Sequence, residues 1–205
     1  MKAYFDKKYQ KQIVTISPGE FYCSKQDCFI STVLGSCIAI TLWDGKNKIG
    51  GMNHFMLAST SRDCSISDET AGRFGEYSME LLINDMIKAG AQKKYFQAKV
   101  FGGANIFKEN LSATGPRVGA ANIFFAFNYL ETEGIPILKS DTGGVQARKV
   151  LFEPLTNKVY LKRIKNSMRE TQELETKEKS YIKTLVDKEK EKTLFHKVYM
   201  YIKKK

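Results

Sequence analysis

Apolar and polar positions divide the chain into short strands and two helices. Lys11–Ile16 predicts a strand that ends before Pro18-Gly19. Val33–Asp44 and Lys48–Leu57 are apolar stretches on either side of Asp44-Gly45-Lys46-Asn47, a strong hairpin signal. Residues 58–70 are rich in Ser, Thr and Asp and predict a surface loop. From Glu69 to Ala89, the spacing of Phe74, Met79, Leu82, Ile83, Met86 and Ile87 predicts an amphipathic helix stopped by Gly90. A strand at Lys99–Phe101 runs into Gly102-Gly103. A second helix over Arg117–Glu133 turns on Ile123, Phe124, Phe127 and Leu130 and closes at Gly134. Strands follow at Ile135–Ser140, Arg148–Glu153 and Lys158–Ile164, the last two joined at Pro154–Asn157. This order predicts a layered α/β sandwich with mixed or antiparallel sheets, not a bundle or an all-β barrel.

After Ile164 the pattern changes, so the chain divides into a domain over 1–165 and a charged, helical extension over 166–205. Leu174, Ile182, Leu185 and Val186 are sparse among Lys, Glu, Thr and Gln. Leu194, Phe195, Val198 and Ile202 then fall at helical spacing before Lys203-Lys204-Lys205. The plain reading is a solvated helix folding back on the domain. The functional reading is a docking helix for a partner or an acidic membrane surface.

Composition narrows the classes. In 205 residues, 42% hydrophobic content supports one generous core. The net charge of +11 is diffuse: residues 166–205 hold 11 basic and 7 acidic side chains, the rest 22 and 15. Without a helix-turn-helix, RNA-binding aromatic motif or zinc-finger spacing, it does not predict a nucleic-acid partner. No apolar run approaches a membrane span, and no secretory signal opens the sequence, so a soluble cytoplasmic protein is expected. That setting disfavours disulfides between Cys23, Cys28, Cys37 and Cys64. Cys23-x4-Cys28 lacks a matching downstream metal pair, and His54 and His196 lie far apart, so no metal is expected. Gly102-Gly103-Ala104-Asn105 does not have dinucleotide-binding spacing, nor is a Walker sequence present.

The chemistry concentrates in the hairpin. A two-residue loop at Gly45-Lys46 places Asp44 opposite Asn47 and, further along the ladder, Cys37 opposite His54. Their Cβ atoms would then stand about 4.5–5.5 Å apart on one face. A thiol beside an imidazole is the minimum apparatus for cysteine nucleophilic catalysis, since the imidazole raises the thiolate fraction. Gly35-Ser36 lets the backbone turn closely and aim N–H groups at a developing oxyanion. Taken singly, each residue also reads plainly, as a buried small hydrophobe and a satisfied core histidine.

Four segments carry a resemblance: Leu34-Gly35-Ser36-Cys37-Ile38-Ala39-Ile40; Gly50-Gly51-Met52-Asn53-His54-Phe55-Met56-Leu57; Lys99-Val100-Phe101-Gly102-Gly103-Ala104-Asn105; and Asp141-x-Gly143-Gly144-x3-Arg148-Lys149-Val150. In that order, over about residues 12–165, the chain resembles the chemoreceptor glutamine deamidase family, CheD. The resemblance implies hydrolysis of receptor glutamine side chains to glutamate, without a cofactor, on an α/β sandwich similar to toxin deamidases. It also implies a Cys–His–Thr triad with Cys37 as nucleophile and His54 as base. The family threonine falls six residues before the cysteine, where Ser31 stands; spacing therefore favours Ser31, while a threonine-specific role would favour the neighbouring Thr32, and either hydroxyl can accept from the imidazole. Because six residues of straight strand span about 20 Å, the chain must turn near Gly35 to close such a triad. Ala121, before Asn122, stands where the family commonly has arginine. Chemoreceptor cytoplasmic domains are the implied substrate and a CheC-type phosphatase a further partner. Two alternatives are an adaptor for that phosphatase with a weak or silent site, and a different thiol hydrolase such as a protease.

Overall fold

The computed structural model describes residues 1–57, 68–106, 118–164, 172–174, 176–185 and 187. Their order is β1 (Lys2–Asp6), β2 (Lys11–Thr15), β3 (Phe21–Ser24), β4 (Cys28–Leu34), β5 (Ile38–Asp44), β6 (Ile49–Asn53), α1 (Asp68–Lys88), β7 (Phe96–Gly102), α2 (Val118–Thr132), β8 (Ile137–Thr142), β9 (Arg148–Glu153) and β10 (Lys158–Arg163). Two five-stranded sheets result, in the orders β1-β2-β4-β9-β10 and β3-β6-β5-β7-β8. Both are mixed: β2 runs parallel to β4 and β7 parallel to β8, while the remaining pairs are antiparallel. The expected α/β architecture with mixed sheets is therefore present.

Strand alternation sorts side chains into two cores. Ile16, Ile30, Leu34, Ala39, Met52, Val150 and Phe152 fill the space between the sheets. Ile38, Ile40, Leu42 and Val100 face the opposite way and meet Met79, Leu82 and Met86 of α1 and Ala126 and Leu130 of α2. The layers are thus helices, second sheet, first sheet. Of the positions expected on the helix faces, Ile87 and Phe124 point outward, 46% and 68% exposed. The buried stripe of α2 instead runs through Val118, Gly119, Asn122, Ala126 and Leu130, a three-and-four spacing that leaves Phe124 off the face.

The apolar stretch Val33–Asp44 is not one strand. β4 ends at Leu34 in the first sheet and β5 begins at Ile38 in the second, so Gly35-Ser36-Cys37 carries the chain across the sandwich. The hairpin register also differs from expectation: Asp44 lies opposite Ile49, not Asn47. The Asp44 carboxylate accepts from the amides of Lys46 (2.9 Å) and Asn47 (3.0 Å), and Lys48 takes a φ of 52°. An aspartate that satisfies its own loop stabilises a four-residue connection over the two-residue one. The ladder shifts by two residues, an even number, so every side chain keeps its face.

β1 and β3 were not expected. Each is an edge strand of its sheet, only five and four residues long and without alternating apolar and polar positions. Among the described residues, no helix is long and apolar enough to cross a membrane. The loop at 58–67 with Cys64, and the run Leu194–Ile202 with His196 and the terminal lysines, lie outside the described residues.

Candidate active site

With the register shifted by two, Ile38 and Phe55 exchange both backbone hydrogen bonds at 2.9 Å. Cys37 and His54 become diagonal cross-strand neighbours on one face instead of directly opposed ones. That face is the inter-sheet layer, where Cys37 packs with Leu34, Ala39 and Met56. The backbone of His54 is held from the other side: its N–H donates to Glu20 O (2.9 Å) and its carbonyl accepts from Gly19 N–H (2.7 Å).

The imidazole finds its partner across the sandwich. His54 Nδ1 lies 2.7 Å from Thr32 Oγ1 on β4 of the first sheet. The Thr32 hydroxyl donates its own hydrogen to the carbonyl of Ile16 at 2.8 Å. With that hydrogen committed, Thr32 Oγ1 is left to accept, which places the proton of the neutral ring on Nδ1 and the free lone pair on Nε2. Nε2 is buried and has no hydrogen-bond partner among the described residues. Burial lowers the His54 pKa to about 3, so the ring is neutral at physiological pH.

Ser31, selected by spacing, does not reach the imidazole. It is the register partner of Leu151 and lies two residues from Phe29, and Phe29 and Leu151 share the outer face of the first sheet. Because successive strand residues point to opposite faces, Thr32 points inward and Ser31 outward. The spacing argument ignored this parity, and the neighbour one step closer to Cys37 makes the contact.

The turn that carries Cys37 is fixed by residues far away in sequence. Gly103 N–H donates to Cys37 O and Ala104 N–H to Gly35 O, both at 2.7 Å. Asn122 of α2 donates from Nδ2 to Ser36 O and accepts from Leu57 N–H, both at 2.8 Å. One buried amide thereby ties the Cys37 turn to the segment that follows His54. Behind Gly103, the Gly143 N–H donates to Gly102 O at 2.9 Å. The fully buried Arg148 guanidinium in turn grips the Gly143 carbonyl and both the carbonyl and carboxylate of Asp141. The Asp141-to-Arg148 motif is thus a brace for the turn. Asn122 and Arg148 escaped the sequence reading as site residues because their contacts cross between elements.

The front of the turn is an anion cradle. The N–H groups of Gly35 and Ser36 converge on one carboxylate, that of Glu178, at 3.2 and 3.3 Å, and Ser36 Oγ donates to it at 2.6 Å. The Cys37 thiol lies beside the same carboxylate. Gly35 N–H reaches Oε1 and Ser36 N–H reaches Oε2, and consecutive N–H groups turned toward one anion form the kind of nest that stabilises negative charge. Burial raises the Cys37 pKa, and the neighbouring Glu178 charge raises it further, so the resting thiol is protonated. A cavity of about 270 Å³ lies beside His54, lined among others by Ile16, Pro18, Thr32, Val33 and Leu174. Among the described residues, no group of three or more His, Cys, Asp or Glu side chains is placed to hold a metal ion.

A family profile described as CheD chemotactic sensory transduction matches residues 56–163. A relative from Albidiferax ferrireducens, named probable chemoreceptor glutamine deamidase CheD 1, is 45% identical over 168 residues, 82% of this chain and 68% of its own length. One from Shewanella oneidensis, named probable chemoreceptor glutamine deamidase CheD 2, is 40% identical over 176 residues, 84% of this chain and 87% of its own length. A third, from Burkholderia mallei and named probable chemoreceptor glutamine deamidase CheD, is 42% identical over 162 residues, 79% of this chain and 68% of its own length. With a profile covering more than half of its residues and relatives this similar along most of their length, the chain belongs to the CheD family.

Proposed function

We propose that this chain is a cytoplasmic protein-glutamine deamidase that converts glutamine side chains of chemoreceptors to glutamate and releases ammonia. The observation that carries the reading is an imidazole whose Nδ1 is tied to Thr32 and whose buried Nε2 is free, on the same face as the Cys37 thiol. The names of its relatives supply the substrate class.

The chemistry follows from those positions. Nε2 of His54 takes the thiol proton, and the Cys37 sulfur attacks the side-chain carbonyl carbon of the glutamine. Negative charge on the former carbonyl oxygen is met by the N–H groups of the Gly35–Ser36 turn. The imidazolium returns its proton to the leaving nitrogen, the C–N bond breaks and ammonia departs, leaving a thioester. His54 then draws a proton from water, which attacks the thioester; the C–S bond breaks and glutamate leaves. Thr32 holds the ring in the tautomer that serves both half-reactions, and positions the base without touching substrate.

Mass spectrometry of a chemoreceptor cytoplasmic fragment incubated with the full-length protein tests this reading. Defined glutamines are expected to gain about one dalton each as amide becomes acid, with ammonia in matching amount and the fragment uncut, as acyl transfer to water requires. A cleaved fragment would indicate a protease. An unaltered fragment, with the protein folded, would favour the adaptor role beside a CheC-type phosphatase.

A further inference from the structure

The carboxylate in the anion cradle comes from the charged extension. Residues 176–185 are helical. Leu174, Glu178, Tyr181, Ile182 and Leu185 recur at intervals that share one helix face. Leu174 packs against the small cluster of Ala104, Ile106 and Ala147. Tyr181 and Ile182 pack against both main cores, and Leu185 is buried in the core between the helices and the second sheet. Between these anchors Glu178 is fully buried.

Seated this way, the segment takes up what the reaction needs. A Cβ added at Gly35 would stand 2.9 Å from Glu178 Oε1 and 3.1 Å from Leu174 Cδ2, so the space over the turn is filled. The thiol lies beside the Glu178 carboxylate, and Nε2 of His54 has no hydrogen-bond partner among the described residues. Cys37 is 0% exposed and His54 1%. A side-chain carboxylate of glutamate is also what hydrolysis of a glutamine leaves at the nucleophile. We propose that the segment carrying Leu174, Glu178 and Leu185 is an autoinhibitory strap, with Glu178 an intramolecular stand-in for the product glutamate. A receptor glutamine reaches Cys37 only when the strap lifts. The proposal rests on the deamidase reading of the site.

It makes a sharp demand on Glu178→Gln in the full chain, because an amide at that position becomes a substrate in cis. The Cys37 sulfur bonds to the amide carbon, the C–N bond breaks and ammonia leaves with the proton carried by His54. Water then breaks the C–S bond and restores glutamate, consuming one water for each ammonia released. The chymotryptic peptide 175–181 from E178Q is therefore expected to contain glutamate at position 178, and that from E178Q with Cys37→Ala to retain glutamine. Glu178→Ala is expected to raise both the alkylation rate of Cys37 by iodoacetamide and kcat/KM on a receptor fragment by about tenfold, the worth of roughly one charge-assisted hydrogen bond. If E178Q keeps its amide while converting a receptor fragment in trans, the strap proposal falls and the deamidase reading stands. If neither the amide at position 178 nor any receptor glutamine is converted, both fall. Unchanged alkylation and kcat/KM in Glu178→Ala would equally overturn the strap.

Discussion

Substituting glutamine for His54 is expected to slow deamidation of receptor glutamines by about a thousandfold or more, the scale of losing a base that acts in both half-reactions. In the proposed mechanism the imidazole takes the thiol proton, returns it to the leaving nitrogen and activates water. A glutamine side chain fills much of the same volume and can still donate to Thr32, but it offers no basic nitrogen. Thr32→Ala tests the orienting contact separately. Loss of one buried hydrogen bond to the ring is expected to lower kcat by roughly ten- to a hundredfold. Thr32→Ser keeps the hydroxyl, its bond to Ile16 O and its acceptor lone pair, and should recover most of that loss; a purely packing role for Thr32 would not be rescued in this way. Ser31→Ala, on the outer face, should change kcat little. Steady-state rates on a receptor fragment, with thermal melts of each variant, check all four. Near wild-type activity in His54→Gln would remove the base from the account.

Gly102→Ala is expected to be the most destabilising small substitution in the domain. Gly102 adopts a φ of 113°, a region closed to residues with a Cβ, and an added Cβ would stand 2.1 Å from the carbonyl oxygen of Cys37. That neighbour is backbone and cannot swing aside as a flexible side chain would. The same carbonyl is held by Gly103 N–H, so displacing it also breaks the bond that fixes the nucleophile turn. Backbone strain and overpacking together predict a loss of about 3 kcal/mol or more, measured by urea or thermal unfolding. Any folded fraction should react poorly, because the turn moves before the rest of the sheet. A loss under about 1 kcal/mol, the size of an ordinary surface change, would contradict the tight packing behind Cys37.

The strands and helices with strong periodicity could be read from the chain alone: Arg148–Glu153 as a strand and Asp68–Lys88 as a helix fall within a residue or so of their expected ends. The edge strands β1 and β3 could not, since a strand with one partner and a solvated face need not alternate, whereas the edge strands β8 and β10 could. The hairpin is more instructive. Asp44 drew the loop to four residues, an effect of one side chain on three amides that no count of apolar positions contains. The face shared by Cys37 and His54 survived only because the shift was even. The third group depended on parity along β4 and on which sheet that strand joins, both set by tertiary pairing. Asn122 and Glu178 reach the Cys37 turn from separate elements and Arg148 braces it through Gly143 and Gly102, and their roles come from contacts between segments distant in the chain.

The central claim is that the Cys37 sulfur forms the covalent bond to the substrate carbonyl. The most direct test is site-resolved mass spectrometry of a receptor cytoplasmic fragment treated in parallel with wild-type protein and with folded Cys37→Ala. Wild type should add about one dalton at the same few glutamines on every repeat, and the variant none, since removing the thiol removes the atom that forms the acyl bond. Equal conversion by Cys37→Ala would contradict the account.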